Sequence, residues 1–155
     1  MEKTRLLVID DNEALVDMIE EYFSSHELIN IALKAYTGEE GINLIEKNLN
    51  DYDVIILDLI MPKKDGIYVL EEMKKRNIYK PVIISTSYNS DEMIRRVSEY
   101  GVHYFLLKPY ELSDLENRIL EASNVREKEN KNINIVFDTE IEEHIIKCDS
   151  SMIER

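Results

Sequence analysis

The alternation of short apolar runs with longer segments of helical period is the feature that most constrains the fold of this chain. Five such pairs fill the first 123 of the 155 residues. Strands that are apolar throughout are typical of a parallel sheet covered by helices on both faces. The pattern therefore predicts an α/β fold with a five-stranded parallel sheet. The predicted strands are Arg5–Asp10, Leu28–Tyr36, Val54–Asp58, Val82–Thr86 and His103–Leu107.

The second strand and the first helix show which of their residues should face the core. Apolar and polar residues alternate in the second strand, which predicts an edge position. This alternation places four apolar side chains on one face of the sheet, namely Ile29, Ile31, Leu33 and Ala35. In the first helix the apolar residues recur at i, i+3, i+4, i+7 and i+8, which predicts one buried face. That face consists of Leu15, Met18, Ile19, Tyr22 and Phe23.

Capping residues mark the predicted helix starts. Two segments match the capping box, in which an N-cap hydroxyl and a carboxylate three residues later satisfy free backbone N–H groups. They begin at Thr37 and at Ser113. Asn12, Asp65 and Ser90 are single N-cap candidates for the first, third and fourth helices.

The composition changes at residue 124. The segment NVREKENKNIN is polar and has no apolar face, so it is interpreted as the end of the fifth helix followed by a linker. The apolar cluster beyond it is too small to form a domain. We therefore predict a domain at residues 1–123 and a polar linker with a short tail at 124–155. The tail either docks on this domain, pairs with another chain, or begins an effector domain.

Charge and apolar content exclude several functions. A net charge of −13 opposes the phosphate backbone, so no nucleic-acid binding is expected from this chain alone. No apolar run approaches the ~18 residues that a membrane span needs. The apolar run near the N-terminus is also too short for a signal peptide. These features predict a cytoplasmic protein that does not enter the membrane. The single cysteine, Cys148, excludes an internal disulfide framework.

Acidic residues close two of the predicted strands. Asp10 and Asp11 follow the first strand, and Asp58 ends the third. The carboxyl ends of parallel strands meet at one edge, so these three carboxylates converge if the two strands are neighbours. Two unit charges about 4 Å apart repel by roughly 4 kcal/mol at an effective dielectric constant of 20. A hard divalent cation with oxygen ligands, most economically Mg²⁺, fits such a cluster.

Two further strand ends carry groups suited to phosphate chemistry. Hydroxyls at Ser85 and Thr86 can bond phosphate oxygens, and Lys108 supplies a positive charge. With Mg²⁺ present, Asp58 could act as the nucleophile and form an aspartyl phosphate. Taken singly, a strand-end Asp is often a cap or turn residue, and Lys-Pro usually marks a loop. The indicative feature is that four strand ends all carry the required group.

The set of motifs resembles the bacterial response-regulator receiver domain over residues 4 to 122. The motifs are DD at 10 and 11, DLIMPKKDG at 58 to 66, ST at 85 and 86, and FLLKPY at 105 to 110. The resemblance implies a doubly wound, flavodoxin-like sheet of order 2-1-3-4-5. It also implies that Asp58 takes phosphate from a histidine kinase or phosphotransfer protein with Mg²⁺ as cofactor. Such a domain is not an enzyme beyond its self-phosphorylation from a donor and slow self-dephosphorylation.

The resemblance also implies the metal and phosphate ligands. Asp11, Asp58 and the main-chain carbonyl of Ile60 would bind Mg²⁺ directly, and Asp10 would hold it through water. Lys108 would bind the phosphoryl group, with a cis bond to the following proline.

A switch is implied as well. Thr86 would swing toward the phosphate. Phe105 would be the aromatic side chain that turns inward, and its neighbour Tyr104 is the alternative for this role. The signal would appear on the face formed by helix four, strand five and helix five, where self-association would also occur. Among receivers, DDNEALVDMIEEYF and HYFLLKPYELSDL most resemble the receiver half of the sporulation transcription factor of Gram-positive spore formers, which implies an output in transcription regulation.

Two apolar positions suggest a long-lived phosphoryl group. Ile60 and Tyr88 stand two residues after Asp58 and Thr86, where receivers that hydrolyse quickly tend to have polar or acidic residues. The bulky pair is therefore predicted to shield the acyl phosphate from water. The alternative is that both are merely apolar surface residues.

Two other functions compete with the phosphoacceptor. One is a receiver-like interaction module that is never phosphorylated, for which loss of Asp58, Lys108 or an acidic-pair residue would be the sign, and none is lost. The other is a Mg²⁺-dependent phosphohydrolase of the haloacid dehalogenase type, whose D-x-D spacing does not match Asp10-Asp11-Asn12. Neither glycine-rich nucleotide-binding motif is present.

Overall fold

A computed structural model describes residues 2–88, 90–102 and 104–131 of the chain. Strands and helices alternate along this part, as the apolar runs predict. The strands are β1 (Thr4–Ile9), β2 (Ile29–Ala35), β3 (Val54–Asp58), β4 (Val82–Thr86) and β5 (Tyr104–Leu107). The helices are α1 (Glu13–Phe23), α2 (Gly38–Lys47), α3 (Gly66–Lys75), α4 (Asp91–Ser98) and α5 (Leu112–Lys131).

All five strands are parallel and form one sheet of order β2-β1-β3-β4-β5, which confirms the predicted α/β fold. Helices cover both faces of the sheet. α1 and α5 pack over one buried cluster, which includes Val8, Ile56 and Ile119. α2, α3 and α4 pack over the other, which includes Ile55 and Val97. β1 and β3 are neighbours, and this pairing places their carboxyl ends side by side.

The predicted alternation of β2 is wrong for half of the strand. Ile29 and Ile31 pack on the α1 and α5 side, whereas Leu33 and Ala35 pack on the opposite side. The register explains the change, because Leu6 pairs with Ile31 while the next residue of β1 pairs with Leu33. The extra residue between them, Ala32, forms a bulge that reverses the direction of the side chains after it. The predicted edge position is confirmed.

The predicted buried face of α1 is also partly wrong. Its buried residues are Val16, Ile19 and Phe23. Met18 and Tyr22 were predicted to face the core, but their side chains are 55% and 39% exposed. α1 packs over the edge of the sheet through a narrower stripe than its apolar pattern indicates.

Four of the five predicted N-caps are confirmed, those of α1 to α4. In each helix the cap side chain accepts a hydrogen bond from the backbone N–H three residues later; the caps are Asn12, Thr37, Asp65 and Ser90. Ser113 does not cap α5, because the helix already begins at Leu112 and the N–H of Leu115 donates to the carbonyl of Glu111. Glu116, its predicted partner, instead contacts His26 at 2.9 Å.

α5 is helical as far as Lys131, the last described residue, so the first part of the polar segment that begins at residue 124 belongs to this helix. The rest of the predicted tail, residues 132–155, lies outside the described residues. Within the part that the structure describes, no helix combines the length and apolar character that crossing a membrane requires.

Candidate functional site

The acidic residues of the sequence meet at the carboxyl ends of β1 and β3. Ile9 pairs with Leu57 in these neighbouring strands, so the residues that follow them, Asp10 and Asp58, stand side by side. One carboxylate oxygen from each of Asp10, Asp11 and Asp58 lies within 4.8 Å of the other two. Asp10 and Asp58 are buried, whereas Asp11 is exposed. The cluster therefore opens to solvent on the side of Asp11.

Local hydrogen bonds hold the two buried carboxylates. The Asp10 carboxylate accepts from the N–H of Asn12 at 2.9 Å, and Asn12 in turn caps α1. The Asp58 carboxylate accepts from the N–H of Ile60 at 3.2 Å. The site is thus built from strand ends and the first residues of the loops that follow them.

Lys108 brings a positive charge to the cluster from the end of β5. Its Nζ lies 2.8 Å from an oxygen of Asp10 and 3.5 Å from an oxygen of Asp58. Its backbone N–H donates to the carbonyl of Thr86 at 2.8 Å, which ties the loop after β5 to the end of β4. The peptide bond to Pro109 is cis, as the resemblance implied.

The three carboxylates carry more negative charge than Lys108 neutralises. Burial, followed by the charge of Asp10, raises the pKa of Asp58 from 3.8 to about 6 although Lys108 and the N–H of Ile60 oppose the shift. Burial alone would lower the pKa of Lys108, but its hydrogen bond to Asp10 and the charges of Asp10 and Asp58 raise it overall. Convergent oxygen ligands with unneutralised charge are what a hard divalent cation such as Mg²⁺ requires. The residues present therefore fit a magnesium site.

The predicted switch residues lie at the next two strands. Thr86, at the end of β4, is buried, and its hydroxyl accepts from the N–H of Tyr88 at 3.1 Å. Phe105 packs on the face of the sheet that α4 covers, whereas Tyr104 packs on the α5 face. Ser85 is fully buried, with its hydroxyl next to that of Tyr110.

The two residues predicted to shield the phosphoryl group are both on the surface. Ile60 follows β3 and is 51% exposed, and Tyr88 follows β4 and is 50% exposed. Each is linked to the site through its backbone N–H, which donates to the side chain of Asp58 or of Thr86.

Two glycines that none of the sequence predictions included allow the loop after β3 to pack closely. A Cβ atom on Gly66 would lie 2.5 Å from the carbonyl oxygen of Asp58. A Cβ atom on Gly38 would lie 2.2 Å from the carbonyl oxygen of Lys64. Gly66 stands in the DLIMPKKDG motif, but the pattern of residues around Gly38 gives no sign of its contact with a distant loop.

Comparisons with known proteins agree on one family. Residues 6–120 match the family model of the response regulator receiver domain. The receiver domain of the Francisella response regulator 1452 is 34% identical, with a TM-score of 0.68 over 77% of this chain and 96% of that chain. A response regulator receiver domain protein from Clostridium thermocellum is 30% identical, with a TM-score of 0.71 over 80% of this chain and 97% of that one.

One curated relative is longer than this chain. The protein named "Probable C4-dicarboxylate response regulator DctR" of Bacillus subtilis is 27% identical over 124 residues, which are 80% of this chain and 54% of the relative. The chain thus spans about half the length of this relative. The family model covers most of the chain and ends within α5. From the fold, the acidic site and these matches, the chain belongs to the response regulator receiver domain family.

Proposed function

We propose that this receiver domain is a phosphoacceptor switch of a two-component system or phosphorelay. A carboxylate oxygen of Asp58 attacks the phosphorus of a phosphohistidine on a histidine kinase or phosphotransfer protein. The O–P bond forms, the N–P bond breaks, and the released imidazole takes up a proton. The observation that carries the proposal is the convergence of Asp10, Asp11 and Asp58 with the Lys108 ammonium at one edge of the sheet.

The acidic cluster is proposed to hold Mg²⁺. Asp11, Asp58 and the main-chain carbonyl of Ile60 would bind the ion directly, and Asp10 would hold it through water. When bound, Mg²⁺ offsets the negative charge of the incoming phosphoryl oxygens. It also favours the ionised form of Asp58, which is the form that acts as a nucleophile.

Lys108 is proposed to bind the phosphoryl group. Its ammonium already contacts both buried carboxylates, so it stands where negative charge is added when Asp58 is phosphorylated. A charge-assisted hydrogen bond to a phosphoryl oxygen would draw it from Asp10.

Thr86 and Phe105 are proposed to carry the signal outward. The hydroxyl of Thr86 would leave the N–H of Tyr88 for a phosphoryl oxygen, and Phe105 would occupy the space that opens beside α4. The phosphorylated and unphosphorylated states would then differ on the face formed by α4, β5 and α5, where partners or a second copy of the chain would bind. We extend the proposal to a cytoplasmic protein with an output in transcription regulation, which is what the resemblance to the sporulation factor implies. DctR, a response regulator, is about twice as long as the matched segment and so extends beyond its receiver part. The resemblance to the sporulation factor stays a prediction.

Incubation with Mg²⁺ and acetyl phosphate, followed by intact mass measurement, tests this function. We expect one phosphoryl adduct on the unaltered protein and none on Asp58→Asn. Asp53→Asn is the matched control, because Asp53 is also buried but pairs with Arg5 beside the start of β1. No adduct on the unaltered protein would favour the interaction module. Repeated turnover of an aryl phosphate would favour the phosphohydrolase.

The lifetime of the adduct tests the shielding role of Ile60 and Tyr88. If their bulk excludes water, Ile60→Asn and Tyr88→Glu should each shorten the lifetime, because a smaller or hydrogen-bonding side chain admits an attacking water. Tyr79→Glu, a change at an 81% exposed tyrosine away from the site, should leave the lifetime unaltered. An equal lifetime in all four proteins would show that the two residues are only surface groups.

A further inference from the structure

The first residue of α2 contacts the backbone of the loop that joins β3 to α3, residues 59–65. The N–H of Gly38 donates to the carbonyl oxygen of Lys64 at 3.1 Å. A Cβ atom on Gly38 would lie 2.2 Å from that oxygen and 2.8 Å from the carbonyl carbon. Both neighbours are backbone atoms that no side-chain rotation can move. Any larger residue at position 38 must therefore push the loop and the helix apart.

This contact lies at the far end of the loop that contributes to the metal site. The loop begins at Leu59, whose carbonyl accepts from the N–H of Gly66 at 3.0 Å, and Ile60 then donates its N–H to Asp58. The N–H of Gly66 therefore closes the loop by binding its first residue, Leu59. The N–H of Gly38 binds the loop at Lys64, near its last residue. The side chains of Leu59 and Met61, on either side of Ile60, are buried in the core, so these two backbone contacts act together with core packing to set the position of Ile60.

The backbone of Lys63, the residue before Lys64, has a strained conformation. Lys63 has a φ of +66°, in the left-handed region that residues with a side chain seldom adopt. Such a conformation persists where neighbouring contacts determine it. The hydrogen bond from the N–H of Gly38 to the carbonyl of Lys64, the residue after Lys63, is a contact of that kind.

We propose that Gly38 is a positioning residue for the magnesium site, acting through the loop 59–65 from outside the acidic cluster. The inference rests on the proposed function and deepens it. A displacement of about 1 Å, the amount needed to accommodate a Cβ atom at position 38, can cost roughly 100-fold where catalytic geometry is involved. Groups that orient metal ligands typically contribute about 10-fold to 100-fold in metal affinity. α2 thereby becomes part of the metal site without supplying a ligand.

Reciprocity gives a test on the unaltered protein. If the contact of Gly38 favours Mg²⁺ binding, then Mg²⁺ must strengthen that contact by the same factor. Amide hydrogen exchange at Gly38 should therefore slow when Mg²⁺ is added. Gly41 is the internal control, because its N–H donates to Thr37 within the same helix turn at 2.9 Å. Equal effects of Mg²⁺ on both amides would overturn the inference.

Paired substitutions give a second test. Gly38→Ala should lower Mg²⁺ affinity by about tenfold or more in an NMR titration. Gly41→Ala makes the same change in the same helix, but its Cβ atom would meet the side chain of Ile9 at 2.8 Å and not the loop. That variant should keep Mg²⁺ affinity within about twofold even if it lowers the unfolding temperature. Similar affinity losses in both variants would reduce Gly38 to a structural residue.

The two tests separate this inference from the proposed function. An unaltered protein that binds no Mg²⁺ refutes the proposed function and the inference with it. An unaltered protein that binds Mg²⁺ and is phosphorylated, but whose Gly38 and Gly41 respond alike, refutes only the inference. If Gly38→Ala fails to fold, the exchange measurement on the unaltered protein still decides.

Discussion

Replacing Asp58 by Asn should stabilise this protein when no divalent cation is present. Asp58 is only 5% exposed, and burial together with the charge of Asp10 raises its pKa from 3.8 to about 6. The folded state then holds the proton of this carboxyl more tightly than the unfolded chain does. Between pH 3.8 and about 6, the free energy of unfolding therefore falls as the pH rises. Above pH 6 the ionised side chain destabilises the fold at every higher pH.

The size of this effect follows from the pKa. At roughly 1.4 kcal/mol for each pKa unit, ionised Asp58 costs about 3 kcal/mol of stability near neutral pH. The amide of the Asn variant removes the charge and keeps an oxygen that can accept from the N–H of Ile60. Lys108 keeps its shorter contact with Asp10. We expect the variant to gain about 1 to 3 kcal/mol, since loss of the longer contact between Lys108 and Asp58 offsets part of the gain.

Urea unfolding in the presence of a chelator measures this gain. At about pH 7.5 the variant should unfold at a higher urea concentration than the unaltered protein, and the difference should vanish below about pH 4. Mg²⁺ should cancel or reverse this difference, because an ion at 100 times its dissociation constant stabilises the protein that binds it by about 2.7 kcal/mol, close to the upper end of the expected gain.

Asp53→Asn is the control of opposite sign. Asp53 is buried, but its carboxylate accepts from the backbone N–H of Arg5 at 2.8 Å and from its guanidinium at 3.2 Å. Loss of these charge-assisted bonds should destabilise the fold by about 1 to 3 kcal/mol at neutral pH. If Asp58→Asn lowered stability in the chelated protein as Asp53→Asn does, then burial and the charge of Asp10 would not destabilise ionised Asp58 as its surroundings indicate.

Two further predictions concern local stability and can be checked by the same unfolding measurement. Asn12→Ala should lower the free energy of unfolding by about 1 kcal/mol, because the N–H of Leu15 loses its cap; an unchanged value would mean that water replaces the side chain fully. Tyr52→Phe should lower it by about 1 kcal/mol, because the buried hydroxyl donates to the carbonyl of Ile45 at 3.0 Å. Burial raises the pKa of Tyr52 to about 12, so an ultraviolet titration in which every tyrosine ionised together near pH 10 would contradict the buried position.

The sequence predicted the sheet well because strands that are buried on both faces consist almost entirely of apolar residues. β3 and β4 have the predicted bounds, and β1 and β2 each differ from the prediction by one residue at both ends. β5 ends at Leu107 as predicted, and its predicted first residue, His103, lies outside the described residues. The bulge at Ala32 was not predictable in this way, since it depends on how β2 pairs with β1. The exposure of Met18 and Tyr22 likewise depends on how far α1 reaches over the edge of the sheet.

The acidic site was predictable because its chemistry needs particular residue types at particular strand ends. Asp10, Asp11, Asp58 and Lys108 are together in the structure, as the analysis of strand ends required. The contact between Gly38 and Lys64 left no comparable pattern. It depends on the distance between two backbones, and a glycine can begin a helix whether or not another loop lies against it.

The ion pair between Lys108 and Asp10 joins residues 98 positions apart in the chain. Asp10 follows β1, Asp58 is the last residue of β3, and Lys108 follows β5. A nascent polypeptide therefore has no complete site until its fifth strand has joined the sheet. Under the proposed function, only the fully assembled domain can receive a phosphoryl group, and a proteolytic fragment that lacks β5 would accept none from a histidine kinase.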